Sequence, residues 1–419
     1  MATTYLTRTA SANNNSVGKW TFSCWIKRNA LQVETNIISF YTDSSNRSAL
    51  RFDSDDKLRF YEVVSGSTVV TKLTNRLFRD PTAWYHIMLA VDKTLGSPET
   101  QIYVNGVEET SFATDDGYTQ NQAGNFNQAI PIFINAESAG VNAQDICMSH
   151  VHFVDGTQYD PTTFGEFDST TGIWKIKTNP TLTMGTNGFT ILKDGNTITD
   201  QSSNSNDFSL GAGTLTNIQD CPSNNFCTYN KLSSNRVMAN NATTVTTNNA
   251  NFYGAVGTIG VSSGKYYWEV KLTTSTYSFV GVDYNPFESF RNNTSSTTAH
   301  TYLIYPGSGS IYNNNQITSY GSAYSQGDIV GIAMDLDNSK IYFRKNGDAW
   351  FNSGDPTSGS TGTGAFALAA GETYFPFVGD STSGYGAVTS TNFGNGYFGT
   401  TAISSEGSNA SGIGKFEYD

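Results

Sequence analysis

The residues able to carry acid–base chemistry are few. Glu166 and Asp168, in "EFDSTT", stand two apart, so an extended strand puts both carboxylates on one face. A carboxylate pair is the machinery of glycoside hydrolysis, one group attacking or activating water and the other donating a proton. Oxygen-rich turns offer a second chemistry. Asp43, then Asp53, Asp55 and Asp56, then Asp115 and Asp116 crowd three short stretches, and Asp335 and Asp337 form a fourth. Such oxygens suit calcium, and the same residues also cap turns with no metal at all. His150 and His152 point to one strand face, where imidazoles repeated about a threefold axis can hold a metal, or where they simply pack. With four histidines and serines everywhere, no Ser/His/Asp set can be singled out. No glycine-rich loop follows a strand and opens a helix, so nucleotide binding is unsupported.

Aromatic, Asn-rich loops are the strongest remaining signal. "DYNPFESFRNNTSS" (Asp283–Ser296) carries Tyr284, Phe287, Phe290 and Arg291 between two strand-like stretches. "YPGSGSIYNNNQ" (Tyr305–Gln316) is its companion and carries Tyr305 and Tyr312. Sugars bind through CH contacts with aromatic faces and hydrogen bonds to amides, and exposed aromatics with an arginine anchor protein interfaces. The plain alternative turns Phe287 and Phe290 back into the core.

Strands must position these residues. "KWTFSCWIKR" alternates Trp20, Phe22, Cys24 and Ile26 with Lys19, Thr21, Ser23, Trp25 and Lys27, a period of two. "AWYHIMLAVD" is a continuous apolar run, which fits a strand buried on both faces. In "GKYYWEVKL", Tyr266, Trp268, Val270 and Leu272 alternate with Lys265, Tyr267, Glu269 and Lys271. One phrase is written twice: "AWYHIMLAVD…QIYVNG" and "GDIVGIAMDLD…KIYFRKNG" both spell a buried strand, a turn and a second strand ending in Asn-Gly. Asn-Gly marks a two-residue hairpin because both residues need positive φ. Two sandwiches of similar build account for the repetition.

Composition agrees. The 419 residues include 40 Gly, 23 Tyr and 26 Phe, with only 14% charged residues. That is the profile of short strands joined by polar turns. A net charge of −12 repels phosphate backbones and anionic bilayers, so neither nucleic acid nor membrane insertion is expected. No secretory segment or membrane-length apolar run is recognisable, which predicts synthesis in a cytoplasm and free thiols. Cys24 and Cys147 read as core residues, while Cys221 and Cys227 in "CPSNNFC" admit either thiols or a small disulfide loop.

"WTFSCWIKR", "LRFY", "WYHIMLAVD", "IYVNG" and "HVHFVDG" resemble a concanavalin A-like, laminin-G-type jelly roll. "GKYYWEVKL", "VGVDY", "GDIVGIAMDLDNSKIYFRKNG" and "YFPFV" resemble a SPRY domain. The tandem, with "FGEFDSTTGIWKIK" and "CPSNNFCTYN" between, resembles virion proteins of marine and cyanobacterial phages. That resemblance implies a fibre-like or capsid-decorating particle-surface component made in a host cytoplasm. Other virion proteins, and a host-surface glycan or protein, are the implied partners. Such parts are usually symmetric homo-oligomers, and a trimer is the first expectation. Laminin-G-type domains imply calcium, for which Asp53, Asp55, Asp115 and Asp116 are the candidate ligands. Glycan hydrolases of the jelly-roll class carry Glu-x-Asp-x-x-Glu. Here Thr171 stands at the third acid, which disfavours an enzyme.

The expected architecture is all-β, two concanavalin A-like antiparallel sandwiches. Residues 1–180 form the first and 251–398 the SPRY-like second. An irregular Asn/Ser/Thr-rich stretch, 181–250, is a linker or extended edge pieces, and 399–419 is a Gly/Ser-rich tail. The leading reading is a non-enzymatic virion protein mediating adhesion. A ligand-free decoration protein and a glycan-degrading enzyme are the alternatives.

Overall fold

The computed structural model describes residues 4–13, 18–231, 237–247, 254–286, 298–314, 316–380, 386–407, 412 and 414–418. The chain folds as two units, Met1–Asn217 with Cys221–Asn225, and Ile218–Asp220 with Phe226–Asp419. Regular structure is antiparallel strand with short 3-10 turns such as Pro161–Thr163.

The first unit begins with β1 (Tyr5–Thr9), β2 (Lys19–Arg28), β3 (Thr35–Asp43), β4 (Asn46–Phe52), β5 (Lys57–Val64) and β6 (Ser67–Leu77). It continues with β7 (Trp84–Asp92), β8 (Glu99–Val104), β9 (Val107–Glu108), β10 (Phe112–Asp116) and β11 (Pro131–Ile134). Then come β12 (Ile146–Asp155), β13 (Gly165–Phe167), β14 (Trp174–Ile176), β15 (Phe189–Ile191) and β16 (Ser209–Ala212). One sheet runs β10-β6-β5-β4-β3-β11-β1-β16 and the other β15-β12-β2-β7-β8-β9. Between them Trp20, Phe22, Cys24 and Ile26 of β2 meet Phe40, Phe60, Phe126 and Ile132. Trp20 stacks on Phe126 at 4.6 Å. The alternation in β2 therefore aims one face inward as expected. The opposite face is buried too, because the β13–β14 hairpin and its flanks cover it. Trp25, Trp84 and Trp174 cluster there.

The second unit holds β17 (Val237–Ala239), β18 (Thr244–Thr246), β19 (Gly254–Val256), β20 (Lys265–Leu272) and β21 (Ser278–Asp283). Next are β22 (Thr301–Tyr305), β23 (Ser310–Asn313), β24 (Gln316–Ser319), β25 (Ile329–Asp335) and β26 (Lys340–Lys345). It closes with β27 (Phe366–Ala367), β28 (Phe375–Asp380), β29 (Val388–Asn392), β30 (Tyr397–Phe398) and β31 (Thr401–Ala402). The sheets are β17-β18-β29-β20-β25-β26-β27 and β19-β28-β21-β22-β23-β24. Trp268, Val270 and Leu272 of β20 pack against Val280, Val282 and Ile304 of the facing sheet.

The 181–250 stretch, expected as a linker or as extended edge pieces, is divided between the units and supplies short strands at or next to sheet edges. Residues up to Asn217 complete the first, where β15 pairs with β12 and β16 with β1. Residues from Phe226 belong to the second, where β18 pairs with β29. These strands are three or four residues long, too short to show periodicity. Their many amides work as hydrogen-bond donors: Asn206 Nδ2 reaches the carbonyls of Thr186 and Gly188. The tail expected from residue 399 is likewise packed. Phe416 is buried 5.1 Å from the Tyr267 ring, and the Glu417 and Tyr418 N–H groups donate to Glu269 at 2.9 and 2.7 Å.

The twice-written phrase has one structural meaning. Asn105 follows β8 and Asn346 follows β26, with φ of 49° and 50°. Asn105 N–H donates to the His86 carbonyl and its Oδ1 accepts from His86 N–H. Asn346 does the same to Ile329. Each asparagine thus extends the ladder by one rung using its side chain. After Asn105-Gly106 the chain turns straight back as β9, the hairpin expected. After Asn346-Gly347 the returning partner of β26 is β27, twenty residues on.

Candidate functional site

Sheet register places the aromatic candidates. On the six-stranded sheet of the second unit, Val256, Phe377, Gly281, Leu303, Tyr312 and Ile317 are cross-strand neighbours in one row. Val280, Val282 and Ile304 lie in the core, so alternation puts this row on the outer face. Phe279 and Tyr305 stand beside it. The Phe279 ring is 5.8 Å from Tyr305 and 5.0 Å from Tyr312, and the two tyrosines are 6.0 Å apart. Phe279 and Leu303 are buried, Tyr305 and Tyr312 half-buried, and Ile317 is 64% exposed.

Tyr284 does not join them. It follows Val280 and Val282 on the inner parity and packs on Tyr302, Tyr374 and His300. The expected ligand set is therefore split across the sheet. Phe287, Phe290 and Arg291 lie outside the described residues. His300 Nδ1 and Asp283 Oδ1 are 2.8 Å apart beside Tyr284, a buried pairing that neither loop sequence signals.

The first unit's carboxylates do not converge as a calcium site. Asp53 is paired with Arg51 at 2.8 Å and Arg59 at 3.1 Å, and Asp55 with Lys57 at 3.0 Å. Asp115 is paired with Lys72 on β6, and Asp116, its neighbour on β10, points the other way. Asp56 is buried between Arg28 and Arg79. Among the described residues no three His, Cys, Asp or Glu side chains are placed to hold a metal ion. Asp43 and Asp335 cap turns, accepting from the N–H groups of Ser45 and Asn338, and Asp337 accepts from Gly264. The four cysteines are free thiols.

Glu166 and Asp168 sit on the β13–β14 hairpin. Asp168 pairs with Lys175 at 2.5 Å and accepts from both the N–H and hydroxyl of Thr171. These donors hold its carboxyl well below the usual range. Glu166 faces Lys177 at 3.8 Å. Both acids are turn and ion-pair residues, and the hairpin's buried contribution is Trp174.

Trp174 leads to a layer that the sequence did not expose. His86 is buried on the outer face of β7, with Nε2 2.9 Å from Ser23 Oγ. Its Nδ1 lies 3.2 Å from Trp174 Nε1, which can only donate. Burial lowers the His86 pKa to about 3, so the ring is neutral. Nδ1 then accepts, Nε2 carries the proton, and Ser23 Oγ receives it. That polarity is the reverse of a serine nucleophile activated by a base. The only cue in sequence was the continuous apolar run around His86, which marked a strand with two buried faces. His150 and His152 do come together, with rings 6.2 Å apart, through a bulge in β12 between Ser149 and His152. His150 takes φ 49° and donates its N–H to the carbonyl of Leu192, itself at φ 56°.

Comparison with known proteins agrees with this geometry. Residues 2–144 match the concanavalin A-like lectin/glucanases superfamily and residues 265–396 match the SPRY domain. The chain thus carries a concanavalin A-like domain followed by a SPRY domain, both β-sandwiches of the binding-module kind. The ATP-dependent RNA helicase Ddx1 of Drosophila melanogaster is 31% identical over 97 residues, 23% of this chain and 13% of that protein. Its Xenopus laevis counterpart is 30% identical over 96 residues, 23% and 12%. This chain spans about an eighth of the length of those relatives. The SPRY domain of human HERC1 is 23% identical with a TM-score of 0.31, covering 37% of this chain and 91% of that one.

Proposed function

We propose that the protein is a non-enzymatic adhesion component of a phage-type particle surface. It engages a neutral glycan or protein of the host surface through the β22–β24 side of the outer face of the second unit's six-stranded sheet, where Tyr305, Tyr312 and Ile317 reach the surface. The observation that carries this is the Phe279–Tyr305–Tyr312 group continuing into exposed Ile317. Half-buried tyrosine rings present CH-stacking faces and hydroxyls together, held rigid by the sheet beneath. Support also comes from the two binding-type domains. The ion-paired turn positions of Glu166 and Asp168 leave them without the facing arrangement that hydrolysis needs. Assembly as a homo-oligomer with other virion proteins, a trimer first, belongs to the same reading.

The test is binding of the full chain to a glycan array and to host cells, beside Tyr312→Ala and Tyr305→Ala. Each variant should weaken capture by about 10-fold, the loss of one stacked ring. Absence of any glycan or cell binding, or capture unchanged in both variants, would overturn the reading.

A further inference from the structure

A second recognition chemistry lies in the first unit, away from any aromatic row. Where β12 meets β15, the chain returning through Leu182 and Met184 leaves a cleft of about 170 Å³. By volume that is room for roughly five or six waters, or one small solute. The cleft's lining mixes apolar Pro180, Leu182 and Met184 with a larger polar set that includes His152, Thr190, Lys193 and Ser203.

The polar lining has hydrogen-bonding capacity left over. His152 is only 3% exposed, yet its ring's one hydrogen bond to a described residue is between Nδ1 and Thr190 Oγ1 at 2.9 Å. Its Nε2 makes none among the described residues. The Thr190 hydroxyl can donate or accept, and when it turns to donate to Nδ1 the neutral ring presents its proton on Nε2 to the cleft. The Lys193 ammonium has no carboxylate within ion-pair distance among the described residues, and its backbone N–H is already held by Gln201 Oε1. The neighbouring acceptors are engaged. Asp200 accepts from Thr190 N–H, from Ser202 N–H and hydroxyl, and from Asn206 N–H, while Asp194 accepts from the Gln201 amide. Burial first, and then the neighbouring imidazoles and the Lys193 ammonium, disfavour a charged His152 ring, which is neutral. The cleft therefore sets one ammonium without an ion pair among the described residues and one imidazole edge beside an apolar shelf, with the nearby carboxylates of Asp194 and Asp200 already held by their own donors.

We propose that this cleft binds the carboxylate of a small acidic molecule the size of one uronic acid residue. Lys193 Nζ and His152 Nε2–H take the carboxylate, Ser203 takes a hydroxyl, and the ring's CH face lies on Leu182 and Met184. The paired left-handed residues His150 and Leu192 set the bulge that turns His152 to this position. Free acids and uronate units within a polysaccharide share this chemistry.

The experiment is calorimetric titration of the full chain with sodium glucuronate, glucose, acetate and inorganic phosphate, followed by an oligouronate. Glucuronate should bind and glucose should bind at least ~10-fold more weakly, the effect of one charge-assisted hydrogen bond. Lys193→Met should weaken glucuronate by a similar factor with an unchanged melting temperature, since that side chain holds nothing else. His152→Gln keeps an N–H donor near Nε2 and should retain more affinity than His152→Leu. Tighter binding of the oligouronate than of glucuronate assigns the site to polysaccharide, and equal binding assigns it to free acids. Glucose equal to glucuronate, phosphate tighter than either, no binding at all, or no effect of Lys193→Met would each overturn the proposal. Because Tyr312 is in the other unit, these results stand apart from the adhesion test.

Discussion

Glu269 allows a worked prediction. It lies mid-strand on β20 and is fully buried beneath the tail. Its oxygens accept four hydrogen bonds: Tyr267 hydroxyl at 2.9 Å, Asn392 Nδ2 at 3.3 Å, Glu417 N–H at 2.9 Å and Tyr418 N–H at 2.7 Å. Glu269→Ala strips the acceptor from two backbone donors that have no other partner inside. Asn392 keeps its bond to the Lys415 carbonyl, and the Tyr267 hydroxyl still accepts from Arg344 and can rotate its freed proton to another acceptor. Leaving buried donors unsatisfied costs about 1–3 kcal/mol each, and the tail can recover part of that by lifting into water. The net expectation is roughly 3 kcal/mol off tail docking, about two orders of magnitude in its opening equilibrium. Burial outweighs the donors and raises the Glu269 pKa. A raised carboxyl contributes most below its unfolded value, so the advantage over alanine shrinks as pH rises from about 4.5 through the folded value. The assay is amide hydrogen exchange at Glu417 and Tyr418 at pH 5, with chemical denaturation alongside. Protection at those amides should fall ~100-fold while the β20–β25 ladder keeps its own. Unchanged exchange at both amides would refute the idea that Glu269 holds the tail.

Two further perturbations follow from the first unit. Gly106 has φ +77°, and a Cβ there would come 2.4 Å from the Trp174 ring, so Gly106→Ala should destabilise the unit by roughly 2–4 kcal/mol in denaturant titration. Burial lowers the pKa of His86 and His152 to about 3 and of His150 to about 4. The unfolded chain takes up these protons first, so the stability is complete above about pH 6.5 and drains away as pH falls towards 4, by at most ~1.4 kcal/mol per pH unit per histidine. Melting temperatures measured from pH 7 to pH 5 check this, and a flat profile would count against the burial.

Much of the architecture was readable because long strands write long patterns. β2, β7, β20 and β25 show their alternation or their continuous apolar runs directly, and the repeated Asn-Gly phrase marks the same side-chain rung in both units. The edges were not readable. β15 through β18 are three or four residues each, inside Asn-, Ser- and Thr-rich chain whose amides bond to carbonyls instead of marking a face. For the candidate sites, register decided what composition could not. Tyr305 and Tyr312 share a face because β22 and β23 pair, whereas Tyr284 falls on the opposite parity. The clustered aspartates looked like ligands until strand pairing set Arg51, Arg59, Lys57 and Lys72 against them. His152 was visible as half of a His-x-His pair, but nothing local to it announces Lys193.

The place of β1 has a consequence for how the first unit comes into being. That strand lies between β11 and β16, and its partners Pro131–Ile134 and Ser209–Ala212 come more than a hundred residues later. As the chain leaves the ribosome, β1, with Leu6 as its one buried residue, must wait without both partners until nearly the whole unit has been made. Cooperative closure is therefore deferred to the last few strands. A nascent chain stopped before residue 209 would present an open sheet edge ready to pair with its neighbours on the same message.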